Sequence, residues 1–175
     1  MPKLRKMLGS ADSPYILPLM KLIETQNKTT IANWCIDYAA KYFLPIYEKS
    51  YPKDERLINA LQASKDLIMG NIKAADAKKI IKEATAAAKE AEENPAACAA
   101  AKAVGQAAGA IYTPTHSLGL AFYGAAAIAY DRVGVLETAE VYEQIASEEC
   151  AKLEAALRKI YVENEPNPVK INWYC

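Results

Sequence analysis

His116 is the chain's single histidine, and it stands in a polar run, Thr113-Pro114-Thr115-His116-Ser117. A proline between threonines reads as a helix start, which places the imidazole in the first turn. The positive end of a helix dipole tends to keep a histidine there neutral. A neutral imidazole can act as a base or accept a hydrogen bond in a polar pocket. It can equally tie a helix start to a neighbouring loop, the commoner use of a histidine of this kind. Trp34 and Asp37 lie three apart, with Tyr38 adjacent, and could form a pocket mouth with Asp37 as its polar anchor. The plainer reading is the edge of an amphipathic core carrying an exposed acid. Arg56 follows Asp54 at the opening of another helix. It suits either an acidic ligand or an ion pair with a carboxylate on a neighbouring helix, and the ion pair is favoured.

The familiar reaction motifs do not assemble around these residues. A di-iron site in a helical bundle needs Glu-x-x-His pairs on facing helices. With one histidine, preceded three residues earlier by Thr113, neither that site nor a His-Glu-x-x-His zinc site can be built. No phosphate-cradling glycine loop and no Gly-x-Ser-x-Gly elbow occurs. The four cysteines, Cys35, Cys98, Cys150 and Cys175, are scattered without a Cys-x-x-Cys pair. They read as small buried hydrophobes of a reducing cytosol. No catalytic residue, metal or cofactor is expected.

The elements that must position these groups are helices. Alanine dominates the middle of the chain, no alternating run suggests a strand, and Gly and Pro punctuate helix ends. Ser13-Pro14 reads as the start of a first helix reaching about Glu24, with Pro18 bending or restarting it. Thr29 or Thr30 opens a second, which Pro45 should kink or end because proline lacks the N–H. Asp54 is the expected N-cap of a third, stopped by Gly70. A fourth runs from Ala74 to about Glu92, its lysines Lys78, Lys79, Lys82 and Lys89 in solvent. Asn94-Pro95 starts a fifth reaching Tyr112. A sixth runs from Pro114 or Thr115 to Val133, and the last from about Glu137 to Val162. The fifth and sixth carry so little side chain that their backbones can approach closely.

The expected fold is therefore all-α: a compact bundle of about six or seven mostly antiparallel helices with an extended C-terminal tail. Residues 1–175 form a single helical domain, with 1–12 and 164–175 as extended flanks. Lysines and arginines number 21, as do aspartates and glutamates. That balance gives no overall field to attract nucleic acid or an anionic membrane. The basic start Met1-Pro2-Lys3-Leu4-Arg5-Lys6 could open a signal peptide, but Pro18 and Lys21 interrupt the apolar stretch behind it. Export is not expected, and the chain is placed in the cytoplasm. The most apolar segment, Leu118 to Tyr130, is shorter than the ~20 residues that span a bilayer.

The last helix carries Glu137, Glu140, Glu143, Glu148, Glu149 and Glu154, several on its outward face. Solvated glutamates are the usual explanation. The sharper one is an acidic docking surface for a basic protein, formed by Glu137, Glu140, Glu143, Glu148 and Glu154. The eleven tyrosines help that case slightly.

Several stretches resemble the helical, immunity-5-like group of bacterial toxin–immunity proteins. They include Thr30-Ile31-Ala32-Asn33-Trp34-Cys35, Leu44-Pro45-Ile46-Tyr47-Glu48, Asp54-Glu55-Arg56, Thr115-His116-Ser117-Leu118-Gly119, Glu148-Glu149-Cys150 and Asn167-Pro168-Val169-Lys170-Ile171-Asn172-Trp173. They fall in the right order over most of the chain. The resemblance implies additional histidines at the places held here by Thr85, Gln106 and Tyr112. Only His116 remains, which lowers the expectation of an enzyme. Three functions stand open at this point. The first is an immunity protein that binds and neutralises a toxin without catalysis. The second is a small-ligand binder or enzyme with a pocket around His116, Trp34, Asp37 and Arg56. The third is a homo-oligomer paired through its smooth alanine faces.

Overall fold

Asparagine and proline set where the first helices begin. The computed structural model describes residues 3–173, so Met1, Pro2, Tyr174 and Cys175 lie outside it. Helix α1 spans Leu17–Glu24, with Pro18 in its first turn. Ser13 and Pro14 instead belong to the preceding turns, where the Ser13 hydroxyl accepts from the Ser10 N–H. The first-turn proline is thus Pro18 rather than Pro14, a place that suits a residue with no N–H to lose. Helix α2 spans Lys28–Tyr38, and Asn27 rather than a threonine caps it, accepting from the Thr30 N–H at 2.8 Å.

Pro45 neither ends the helical run nor breaks it. A π turn, Ala39–Phe43, continues directly from α2 and leads into α3, Leu44–Glu48. Because Pro45 cannot donate to the carbonyl one α-turn back, the widened turn takes up the mismatch, with the Leu44 N–H reaching Ala39 O. The extra residue also rotates the rest of the run by roughly 100°. Phe43, fully buried, lies against Gly124, where a β-carbon would run into its ring.

The remaining helices are α4 (Arg56–Ile68), α5 (Ala74–Glu90), α6 (Pro95–Gly109), α7 (His116–Val133) and α8 (Ala139–Arg158). With α2, the π turn and α3 counted as one run, seven helices among the described residues form a compact all-α bundle. Asp54 does not cap α4 from the N-cap position, which Glu55 holds, yet its carboxylate still accepts from the Arg56 N–H. Asn94 and Thr138 cap α6 and α8 through their side chains.

Each of α4–α5, α5–α6 and α6–α7 is a packed neighbouring pair. The smooth faces of α6 and α7 meet within the chain, burying Ala100, Ala103, Ala107, Ala121 and Ala125 completely. Those faces are therefore covered inside the core of the chain. Small side chains bring backbones close, and dispersion replaces the bulk of larger residues. The tail folds back over the α1–α2 turn: Val169 N–H donates to Gln26 O, and the Gln26 side chain bonds both the N–H and the carbonyl of Val162.

Candidate functional site

The sequence-predicted site residues go to separate places. Trp34 is buried and donates through Nε1 to the Leu153 carbonyl at 3.1 Å, tying α2 to α8. Asp37 is exposed and pairs with Lys65 Nζ at 3.0 Å. Arg56 bridges two carboxylates, with Nη2 2.7 Å from Asp54 and 2.6 Å from Glu90. Asp54 also accepts from the Tyr47 hydroxyl. The hydrogen-bonded Arg56 guanidinium holds the Asp54 carboxyl well below the usual carboxylate range. Arg56 thus staples α4 to the end of α5 as an ion pair. None of these three residues lines the cavity that His116 lines.

That cavity, about 560 Å³, lies between α5, α6 and the start of α7. Lys78, Lys82, Thr85 and Lys89 come from α5, Lys102 and Gln106 from α6, and Tyr112, His116 and Tyr123 from beyond. The helix repeat explains the α5 set, since spacings of four, three and four keep one face. Thr85, Gln106 and Tyr112, the places where the family resemblance implies histidines, therefore converge here with His116.

His116 begins α7 and leans over the end of α6, beside Gly109. Its Nδ1 is buried without a hydrogen-bond partner among the described residues. Burial pushes its pKa below the ordinary histidine value, so the ring is neutral near pH 7. The hydroxyl of Tyr112 is already engaged, donating to Ala74 O at 2.5 Å.

A second, smaller groove of about 320 Å³ adjoins the first, sharing Glu92 and Lys102 and adding Lys3, Lys6 and Cys98. Burial raises the Cys98 thiol above its ordinary value, and Cys98 does not share a cavity with His116. Cys35 and Cys150 are buried free thiols, Cys150 pushed up to about 12 by burial. Among the described residues no three His, Cys, Asp or Glu side chains cluster as a metal site would require. No helix among them is long and apolar enough to cross a membrane.

Sequence pattern alone places the cavity lysines in solvent and gives them no role. The signal it does hold is their i, i+4, i+11 spacing on the helix next to two helices too smooth to fill the space beside it.

On α8 the glutamates divide. Glu143 accepts from Arg5 and from the Tyr15 hydroxyl, Glu148 pairs with Arg132, and Glu154 pairs with Arg158. Glu149 faces inwards: it is buried, and the Tyr38 hydroxyl donates to it at 2.6 Å. Burial raises its pKa above the usual carboxylate value. Glu137 and Glu140 are exposed, with no ion pair among the described residues.

Residues 21–156 match the model of a family described as Imm-5 like putative immunity protein. Neither a curated protein nor a solved structure matches the chain significantly.

Proposed function

The chain belongs to the Imm-5 like putative immunity protein family, and on that premise we propose that it neutralises a bacterial toxin by binding it stoichiometrically in the cytoplasm. It acts as one helical domain and carries out no reaction of its own. The observation behind this reading is the length of the family match, which runs from within α1 almost to the end of α8.

The partner surface is the outward side of α8 and its approach. Glu137 and Glu140 supply uncompensated negative charge. Glu143, Glu148 and Glu154 lie beside them in exposed ion pairs, which are individually weak and can exchange partners with a basic surface. Complementary charge of this kind acts mainly on the rate of encounter.

The test is the association rate of the toxin with the wild type and with Glu137→Lys/Glu140→Lys. The expected result is a drop of about tenfold at low salt that narrows as salt screens the field. An unchanged rate for a toxin that still binds would remove α8 as the docking surface.

A further inference from the structure

We propose that the cavity between α5, α6 and the start of α7 binds a small organic phosphate of mononucleotide size. The distribution of charge leads there. All the arginines, Arg5, Arg56, Arg132 and Arg158, are in ion pairs. Among the described lysines only Lys49 and Lys65 are in ion pairs, and of the others Lys78, Lys82, Lys89 and Lys102 gather around this one cavity. Among the described residues Glu92 is the only acid in the lining. Lys78 and Lys82, one turn apart on α5, repel each other, so the arrangement is unfavourable until an anion arrives.

The walls suit an organic anion better than a bare ion. The space, about 560 Å³, lies in the range of small-molecule sites. Tyr123 and Ile81 give it apolar surface, and Lys102 Nζ stands 5.6 Å from the centroid of the Tyr123 ring. A cation thus lies over an aromatic face at the cavity wall. His116 and Gln106 line the cavity, and the Gln106 amide makes no hydrogen bond among the described residues, leaving a polar group for a ring edge. Lys82 and Lys89 stand about 10 Å apart along the helix axis. Phosphate oxygens at one end and a flat ring at the other fit that length. A nucleic-acid polymer would need an open track of positive charge, and here the lysines are gathered round a hollow.

This site is independent of the immunity reading, because α8 takes no part in it. The experiment monitors the single imidazole resonance of His116 and the binding heat as AMP is added to the full chain, with adenosine and a short single-stranded RNA in parallel. The expected result is saturable binding of AMP at one site, a shift of the His116 resonance, and at least tenfold weaker binding of adenosine. Lys82→Gln/Lys102→Gln, two changes at the cavity wall, should weaken AMP at least tenfold. Lys79→Gln, on the same helix but outside the cavity, should leave it unchanged. No response to AMP at millimolar concentration would overturn the proposal. So would binding that ignores Lys82 and Lys102, or RNA binding more tightly than AMP.

Discussion

A β-carbon on Gly109 would lie 2.6 Å from Nδ1 of His116. The imidazole can fold over the end of α6 only because residue 109 has no side chain. Gly109→Ala is expected to push the ring towards the cavity and to lower stability by about 1–2 kcal/mol, the usual scale of local overpacking. Thermal unfolding and the His116 resonance check this together. An unchanged melting temperature with an unmoved resonance would show that the contact is slack.

Burial sets the acid behaviour of the same histidine. Its folded-state pKa is lowered, so its contribution to stability is present above the unfolded value of about 6.5 and is lost as pH falls through the lower folded value. An NMR titration should give a midpoint below 6.5. The urea midpoint of the wild type should fall relative to that of His116→Gln as pH drops below about 6. A titration midpoint at or above the ordinary histidine value would contradict the burial.

Gly124 and Phe43 form an equally tight contact between α7 and the π turn. A β-carbon at 124 would meet three atoms of the Phe43 ring, all within 2.9 Å. Gly124→Ala should cost about 1–3 kcal/mol, and pairing it with Phe43→Leu should recover part of the loss. Additive effects in chemical denaturation would mean that the two sites do not touch.

Arg56→Leu should destabilise by about 1–3 kcal/mol, chiefly by leaving the partly buried Asp54 carboxylate without its cation. The Asp54 pKa is depressed, so this stability is present above the ordinary carboxylate range and is lost as pH falls through the depressed folded value. The variant should therefore show a weaker loss of stability in acid than the wild type. Urea unfolding at neutral pH and near about pH 3 measures both effects.

The helices are legible in the sequence because their punctuation is local: Asn94-Pro95, Gly70 and Gly134 end or start elements through their own backbone chemistry. Pro45 is legible as a disturbance but not as a π turn, since the compensation depends on what Phe43 packs against. Arg56 reads as an ion pair because Asp54 is only two residues away, though Glu90, the other partner, comes from a different helix. Trp34 and Asp37 look adjacent on a helical wheel, yet α8 covers one and Lys65 pairs with the other. The cavity is hidden for the opposite reason. Each of its lysines alone looks like an ordinary wet residue, and only the packing of α5 beside α6 shows that they surround one hollow.

Stoichiometric binding of a toxin is tested most directly by affinity capture of the tagged chain from lysate of its native host. Capture would be run at low and moderate salt, with mass spectrometry of the retained proteins. One stoichiometric partner is expected, carrying a basic, toxin-like domain, released as salt rises, whose toxicity the chain relieves. Capture of nothing while the toxin is known to be expressed, or of a partner whose toxicity is unaffected, would contradict the proposed role.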